Sequence, residues 1–160
     1  MSSDTSALPY RPGVGVILLN AEGNIFIAQR LDMRSEAWQM PQGGMDEGET
    51  PLTAAQRELE EETSITPNCT ELLAESKDWF YYNLPPELIG KLWGGQFRGQ
   101  KQKWFVMRFT GLDADINLET AHPEFSTWRW ESPDRVPELI VPFKRELYRQ
   151  VMTEFQPLLH

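Results

Sequence analysis

The chain is short of cysteine, of positive charge and of long apolar runs, and each shortage excludes something. Cys69 is its single cysteine, so no intrachain disulfide can form, and a reducing compartment fits. The longest apolar run, Val14–Leu19, is far too short to cross a bilayer. The opening residues, MSSDTSALP, carry neither a basic segment nor an apolar stretch, so no secretory signal is read there. A cytoplasmic protein with no membrane partner is expected. Lysine and arginine together number 15 against 24 acids, a net charge of −9. That balance argues against long duplex nucleic acid as a partner, which needs a broad basic face. It leaves room for a nucleotide end held in a small basic pocket. Repeats, heptads and low-complexity tracts are also missing.

What is present is a foldable composition. The 160 residues are 40% apolar and 11% aromatic, enough for one globular domain with a real core. Residues 1–9 are small and polar and read as a loose arm, with one domain over 10–160. Val14–Leu19 is β-branched and apolar and reads as a buried strand; Asn20–Asn24 is a turn, and Ile25–Ala28 returns as a second strand. Residues 31–44 look irregular. A helix is expected from Pro51 to about Glu62, with Thr50 as N-cap and proline at the first helical position. Strands are expected at Glu71–Glu75, Trp79–Tyr82, Lys103–Thr110 and Phe125–Trp130. Residues 85–100 read as a long connection. Ser132 and Pro133 start a short helical turn. The last helix runs from Pro142 to about Phe155, with Phe143, Leu147, Val151 and Phe155 as one apolar stripe. Strands flanking a central helix, with a helix closing the chain, describe a mixed sheet packed between helices, an α/β class.

The charge is not evenly spread. Between Gly43 and Glu62 lie seven acids and one base, so most of the excess acidity is local. On a helix turning by about 100° per residue, Glu58, Glu61 and Glu62 fall on one narrow face, beside a core stripe of Leu52, Ala55 and Leu59. Glu60 points elsewhere. Like charges at these spacings cost roughly 0.2–0.5 kcal/mol per pair. They also sit near the helix C-terminus, where the macrodipole disfavours anions. A solvated acidic face is the ordinary outcome of such a run. A divalent cation is the other explanation, because Mg²⁺ takes oxygen ligands and turns the repulsion into coordination.

Residues 43–65 read GGMDEGETPLTAAQRELEEETSI. Gly43, five residues, Glu49, seven residues, then Arg57-Glu58-Leu59, one residue, Glu61-Glu62 resembles the Nudix box. One position departs: the closing glycine of the box is Ser64, where a left-handed turn ends the helix. A serine there costs about 1 kcal/mol and removes no ligand. The resemblance implies an α/β/α sandwich with a mixed central sheet. It also implies hydrolysis of a nucleoside diphosphate linked to another group, with Mg²⁺ or Mn²⁺, and more than one ion, on the box glutamates. Glu58, Glu61 and Glu62 carry over as metal ligands and catalytic carboxylates. Glu49 and Arg57 carry over as a supporting ion pair, with Gly43 as structural support. Which glutamate acts as base stays open.

Outside the box, the segments 10–15, 37–44, 99–105, 123–125, 128–130 and 141–144 resemble one branch of that family, the bacterial RNA pyrophosphohydrolases and the asymmetrical diadenosine tetraphosphate hydrolases. The resemblance implies removal of pyrophosphate from triphosphorylated RNA 5′ ends. Glu124 carries over as a fourth metal carboxylate. Arg30 and Lys144 match phosphate-binding residues, Arg11 an RNA-contacting arginine, Val141 and Phe143 base contacts, and Tyr82 a second aromatic beside a base. Lys103, with Lys101, Arg108, Arg145 and Arg149, is a further candidate source of positive charge. Tyr82 could equally be packed in a strand, and Phe143 also fits the apolar stripe of the last helix. Trp38, Trp128 and Trp130 fit core or pocket walls better than chemistry. Cleavage of diadenosine tetraphosphate to ATP and AMP, clearance of small oxidised nucleotides, and a non-catalytic nucleotide-binding module remain as alternatives. Retention of every box glutamate speaks against the last.

Overall fold

The structure is a computed structural model that describes residues 8–31 and 37–159. Most of the expected arm, residues 1–7, lies outside these, as do residues 32–36 of the stretch read as irregular and the terminal His160.

Two long strands form the spine. β1 (Tyr10–Leu19) and β6 (Gly99–Phe109) run parallel in ten-residue register, from Tyr10 opposite Gly99 to Leu19 opposite Arg108. Each spine strand shares its outer edge between two short antiparallel partners. On β1 these are β3 (Gln42–Gly44) at Gly13–Gly15 and β2 (Ile25–Arg30) at Leu19. On β6 they are β5 (Phe80–Asn83) at residues 99–102 and β4 (Thr70–Glu75) at residues 105–109. β7 (Phe125–Glu131) closes the far side against β2. The sheet is therefore mixed, in the order β4-β6-β1-β2-β7.

Period-two alternation divides the core between the two faces. Val14, Val16, Leu18, Phe26, Phe105 and Met107 pack with Ala54, Ala55 and Leu59 of α1 (Pro51–Thr63). Ile17, Leu19, Ile27, Trp104 and Val106 face the other way. They meet α2 (Val136–Leu139) and α3 (Arg145–Glu154) through Val136, Leu147, Tyr148 and Val151. This is the expected sandwich.

Local differences from the sequence reading have identifiable causes. Gln42–Gly44 was expected to be irregular, since glycines weaken strands. It pairs because bare backbone is what this place requires: a methyl at Gly43 would overlap the Glu58 carboxyl group, and one at Gly44 would overlap the Arg11 guanidinium. β6 begins at Gly99, inside what reads as a connection, because the polar residues Gln100 and Gln102 are buried in hydrogen bonds rather than solvated. Ala54 joins the buried stripe of α1, whereas Leu52 is only partly buried. Phe143 lies in a single 3-10 turn, Pro142–Lys144, ahead of α3, so the helix stripe is Leu147, Val151 and Phe155.

α1 starts where Thr50 caps it, its hydroxyl oxygen accepting from the Thr53 N–H. It ends at Ser64, which adopts φ 69°. The Ser64 N–H donates to the Glu60 carbonyl, and its hydroxyl donates to the Asn117 carbonyl at 2.8 Å. The side-chain bond offsets strain that glycine would avoid. Ser64→Gly is expected to be near neutral in urea denaturation, since it relieves strain and loses a bond of similar size. Ser64→Ala keeps the strain and loses the bond, and should unfold about 1 kcal/mol more easily.

Candidate active site

The loop before α1 is fixed by one arginine. Arg57 donates through Nε and Nη2 to the two oxygens of Glu49 at 2.7 and 2.8 Å, a bidentate pair. Its Nη2 also donates to the Gly44 carbonyl, and its Nη1 to Glu58 at 2.9 Å and Glu61 at 3.2 Å. Glu49 in turn accepts from the Asp46 N–H. The hydrogen bonds from Arg57 hold the Glu49 carboxyl down at about 2. The Arg57 guanidinium is pushed up, chiefly by Glu49.

Three glutamates of α1 have three different environments. Glu61 is largely exposed and borders an open cavity of about 740 Å³ together with Arg57 and Glu124. Glu58 is mostly covered; burial raises its pKa while Arg57 pulls it back. Glu62 is 1% exposed, and neither of its oxygens finds a hydrogen-bond donor among the described residues. Burial drives its pKa well above the ordinary carboxylate range, and the nearby Glu124 and Glu58 charges drive it further. Arg30 opposes that shift.

A buried carboxylate without donors requires a proton or a cation. With Glu58 and Glu124 close by, the donor set is oxygen-only and anionic, which suits Mg²⁺ or Mn²⁺. Among the described residues the carboxylates do not form a preassembled cage, because Arg57 draws Glu58 and Glu61 toward itself. Glu124 is positioned at the mouth of β7, its carbonyl accepting from the Leu31 N–H just beyond β2. A register shift between Gln29 and Arg30 interrupts the β2–β7 ladder there and changes the direction in which Arg30 is presented.

On the other face lies a pocket of about 370 Å³ whose walls include Arg30, Tyr82, Trp93, Val141, Phe143 and Lys144. The Tyr82 and Phe143 rings are 6.0 Å apart at 47°, and the Lys144 ammonium lies 5.4 and 5.7 Å from their centres. Burial, and then the neighbouring Arg30 charge, pull Lys144 down to about 7, with Glu62 acting in the opposite sense. Glu62 thus lies electrostatically between the carboxylate cluster and this pocket. The Tyr82 hydroxyl donates to Gln100, which continues a buried chain through Gln102 to Gln42 and Trp104.

The structure brings Arg30, Tyr82, Val141, Phe143 and Lys144 together. Arg11 reaches the rim, its guanidinium 5.2 Å from the Trp93 ring. Lys103 is elsewhere: its ammonium donates to the Ser76 and Lys77 carbonyls. Trp128 stacks on Phe26, and Arg129 lies over Trp38; both tryptophans pack against the core. Trp93 was missed because it falls within the long connection. Its signal was the pair of glycines after it: Trp93, Gly94 and Gly95 all take positive φ.

A NUDIX domain model matches residues 9–151. The RNA pyrophosphohydrolase of Rhodospirillum rubrum is 61% identical over 149 residues, covering 93% of this chain and 88% of its own. That of Sphingopyxis alaskensis is 55% identical over 155 residues, covering 97% and 98%. Among solved structures, a C. elegans Ap4A hydrolase binary complex superposes with a TM-score of 0.67 at 18% identity, covering 92% of this chain and 98% of that one. The E. coli dihydroneopterin triphosphate pyrophosphohydrolase gives 0.67 at 20% identity, covering 89% and 96%. These two show the shared fold. With Glu58, Glu61 and Glu62 of the box on one helix of a mixed-sheet sandwich, Glu49 in the loop before it, and a family match across most of the length, the chain belongs to the Nudix family of hydrolases.

Proposed function

We propose that this chain is an RNA pyrophosphohydrolase, removing pyrophosphate from the triphosphorylated 5′ end of RNA and leaving a 5′ monophosphate. The observation that carries the reading is the buried Glu62 carboxylate, without a hydrogen-bond donor among the described residues, between an anionic cluster and a pocket containing Arg30, Lys144 and the rings of Tyr82, Trp93 and Phe143. Relatives named RNA pyrophosphohydrolase, 53–61% identical over nearly the full length, support the substrate class.

In this reading Glu58, Glu61, Glu62 and Glu124 hold divalent ions, more than one. When bound, Mg²⁺ or Mn²⁺ neutralises phosphate charge and lowers the pKa of water. Arg57 keeps Glu58 and Glu61 on the reactive side of α1 and holds the box loop through Glu49. Arg30 and Lys144 receive the triphosphate, supplying positive charge where negative charge is densest. Tyr82, Phe143 and Val141 hold a base beside them, with Arg11 at the rim. Water adds to the α-phosphorus while a carboxylate of the cluster takes its proton; the α–β anhydride P–O bond breaks, and its electron pair leaves on the bridging oxygen as pyrophosphate, with a 5′ monophosphate left on the RNA.

The direct test compares kcat/KM for triphosphorylated RNA and for diadenosine tetraphosphate, side by side with Mg²⁺. RNA is expected to be the better substrate. A clear preference for the dinucleotide would overturn the assignment.

Glu62→Gln should abolish turnover without unfolding the protein, because glutamine fills the same buried volume but cannot supply an anionic ligand. Calorimetric titration with Mn²⁺ and a melt separate those effects. Linkage gives the pH dependence. Glu62 retains its proton in the folded state above the unfolded value near 4.5, so metal-free stability falls as pH rises beyond that value. Stabilisation by Mg²⁺ should therefore grow from acid toward neutral pH in wild type and be much flatter in Glu62→Gln. Parallel melts with Mg²⁺ and with chelator across that range provide the check.

Phe143→Ala should raise KM, reflecting roughly 1–3 kcal/mol of lost stacking. Lys144→Ala should also lower kcat, because charge shifts on the phosphates during reaction. Normal KM for a folded Phe143→Ala protein would remove the base-contact role.

A further inference from the structure

The strands that carry the pocket also carry a second surface on their opposite side, which the reaction leaves unused. Strand alternation directs Arg11, Tyr82 and Gln100 to the pocket face and their neighbours Tyr10, Tyr81 and Lys101 to the other. Tyr81 and Lys101 are paired across β5 and β6, and Lys101 is paired with Pro12 across β6 and β1. This face is continuous with the one that α1 covers at Val14, Val16 and Leu18. Among the described residues no helix covers it here, and Tyr81 is 52% exposed.

Its chemistry alternates rings and cations. The Arg98 guanidinium lies 4.8 Å from the Tyr10 ring centre, and Tyr10 meets Tyr81 edge to face at 4.9 Å. The Lys101 ammonium lies 4.9 Å from the Trp79 ring, with that of Lys103 at 5.9 Å. Lys77 is exposed beside them. Glu75 and Asp78 border the far end. In a chain of net charge −9, this concentration of bases departs from the overall balance. It lies along β5, which among the described residues pairs only with β6.

We infer that this Tyr10–Tyr81–Lys101–Trp79 face binds single-stranded RNA a few nucleotides downstream of the 5′ end, with bases against the rings and phosphates against the cations. The inference rests on RNA being the substrate. Rings within cation range of one another are the composition that binds single strands with little sequence preference, since every base has a face to stack and every linkage a charge. The location fits as well. One residue along β1 or β5 leads from the pocket side to this side, so a strand whose first base is held at Tyr82 reaches the surface by passing the edge of β5. A protein partner is the competing occupant. It would leave the length dependence of RNA hydrolysis by the isolated enzyme unchanged.

The test uses the Mg²⁺-loaded enzyme and two unpaired triphosphorylated RNAs, a dinucleotide and an oligonucleotide about six times longer. Wild type should show a higher kcat/KM on the longer RNA, through KM, and the advantage should shrink as salt rises. In Tyr81→Ala/Lys101→Gln the advantage should fall about tenfold or more, with dinucleotide turnover and the melt preserved. Lys101→Arg should restore most of the charge-dependent part. Equal kcat/KM for the two RNAs in wild type, or an undiminished advantage in the folded variant, overturns the inference while leaving the enzyme an RNA pyrophosphohydrolase. Hydrolysis of diadenosine tetraphosphate but of neither RNA overturns the substrate reading itself.

Discussion

Arg57 is the charge on which this site is organised. A single guanidinium reaches the loop at Glu49 and Asp46, the short strand β3 at the Gly44 carbonyl, and the helix at Glu58 and Glu61. Without it, the box would be a loop, a strand and a helix joined by acids that repel one another. Buried or half-buried pairs contribute little net stability on average, and removing one partner is costly because the other charge remains. That asymmetry explains why such a hub restricts geometry more than it raises stability. Glu58 and Glu61 receive hydrogen bonds from Arg57, whereas among the described residues neither oxygen of Glu62 has a hydrogen-bond donor.

The parallel β1–β6 spine gives this local chemistry its setting. Because each spine strand is shared by two shorter partners, the sheet has interruptions partway along both outer edges. The glycines of β1 and β3 permit close approach there. At Gly15 a side chain would overlap the Trp104 ring, and at Gly43 it would overlap Glu58. Helix and sheet are thereby brought closer than ordinary side chains allow, and Glu62 interacts electrostatically with Glu124 and Arg30 and in turn acts on Lys144.

Much of the architecture was legible in the sequence because its signals are local. Val14–Leu19 and Lys103–Thr110 are apolar and β-branched or aromatic, and Thr50-Pro51 announces a helix start. The carboxylates of α1 were legible because a fixed helical turn converts spacing into a shared face. What could not be read depends on contacts distant in sequence. Gln100 and Gln102 look solvated until their partners Tyr82, Gln42 and Trp104 are in place. Lys103 reads as a source of positive charge, but its place could not be read: its ammonium donates to the Ser76 and Lys77 carbonyls, away from the pocket walls, because nothing in a strand sequence says which neighbour a long side chain will meet. Trp93 escaped notice in a segment with no periodicity, although its left-handed backbone places it in the pocket wall.

The serine that ends α1 has a mechanical consequence. Its hydroxyl and the Thr63 carbonyl both bond to Asn117, so the helix terminus grips the segment that leads to β7. At the other end, Glu124 is gripped through its carbonyl by Leu31. Residues 118–123 are therefore a tether strung between two fixed posts, with the outlying carboxylate at its far end. Leu118 also packs against the core and the Glu119 N–H donates to Asn117 Oδ1, so the near end of this tether is held as well. The place from which Glu124 faces Glu62 is thus set by backbone anchored at both ends of one short cord, not by the helix that carries the other carboxylates.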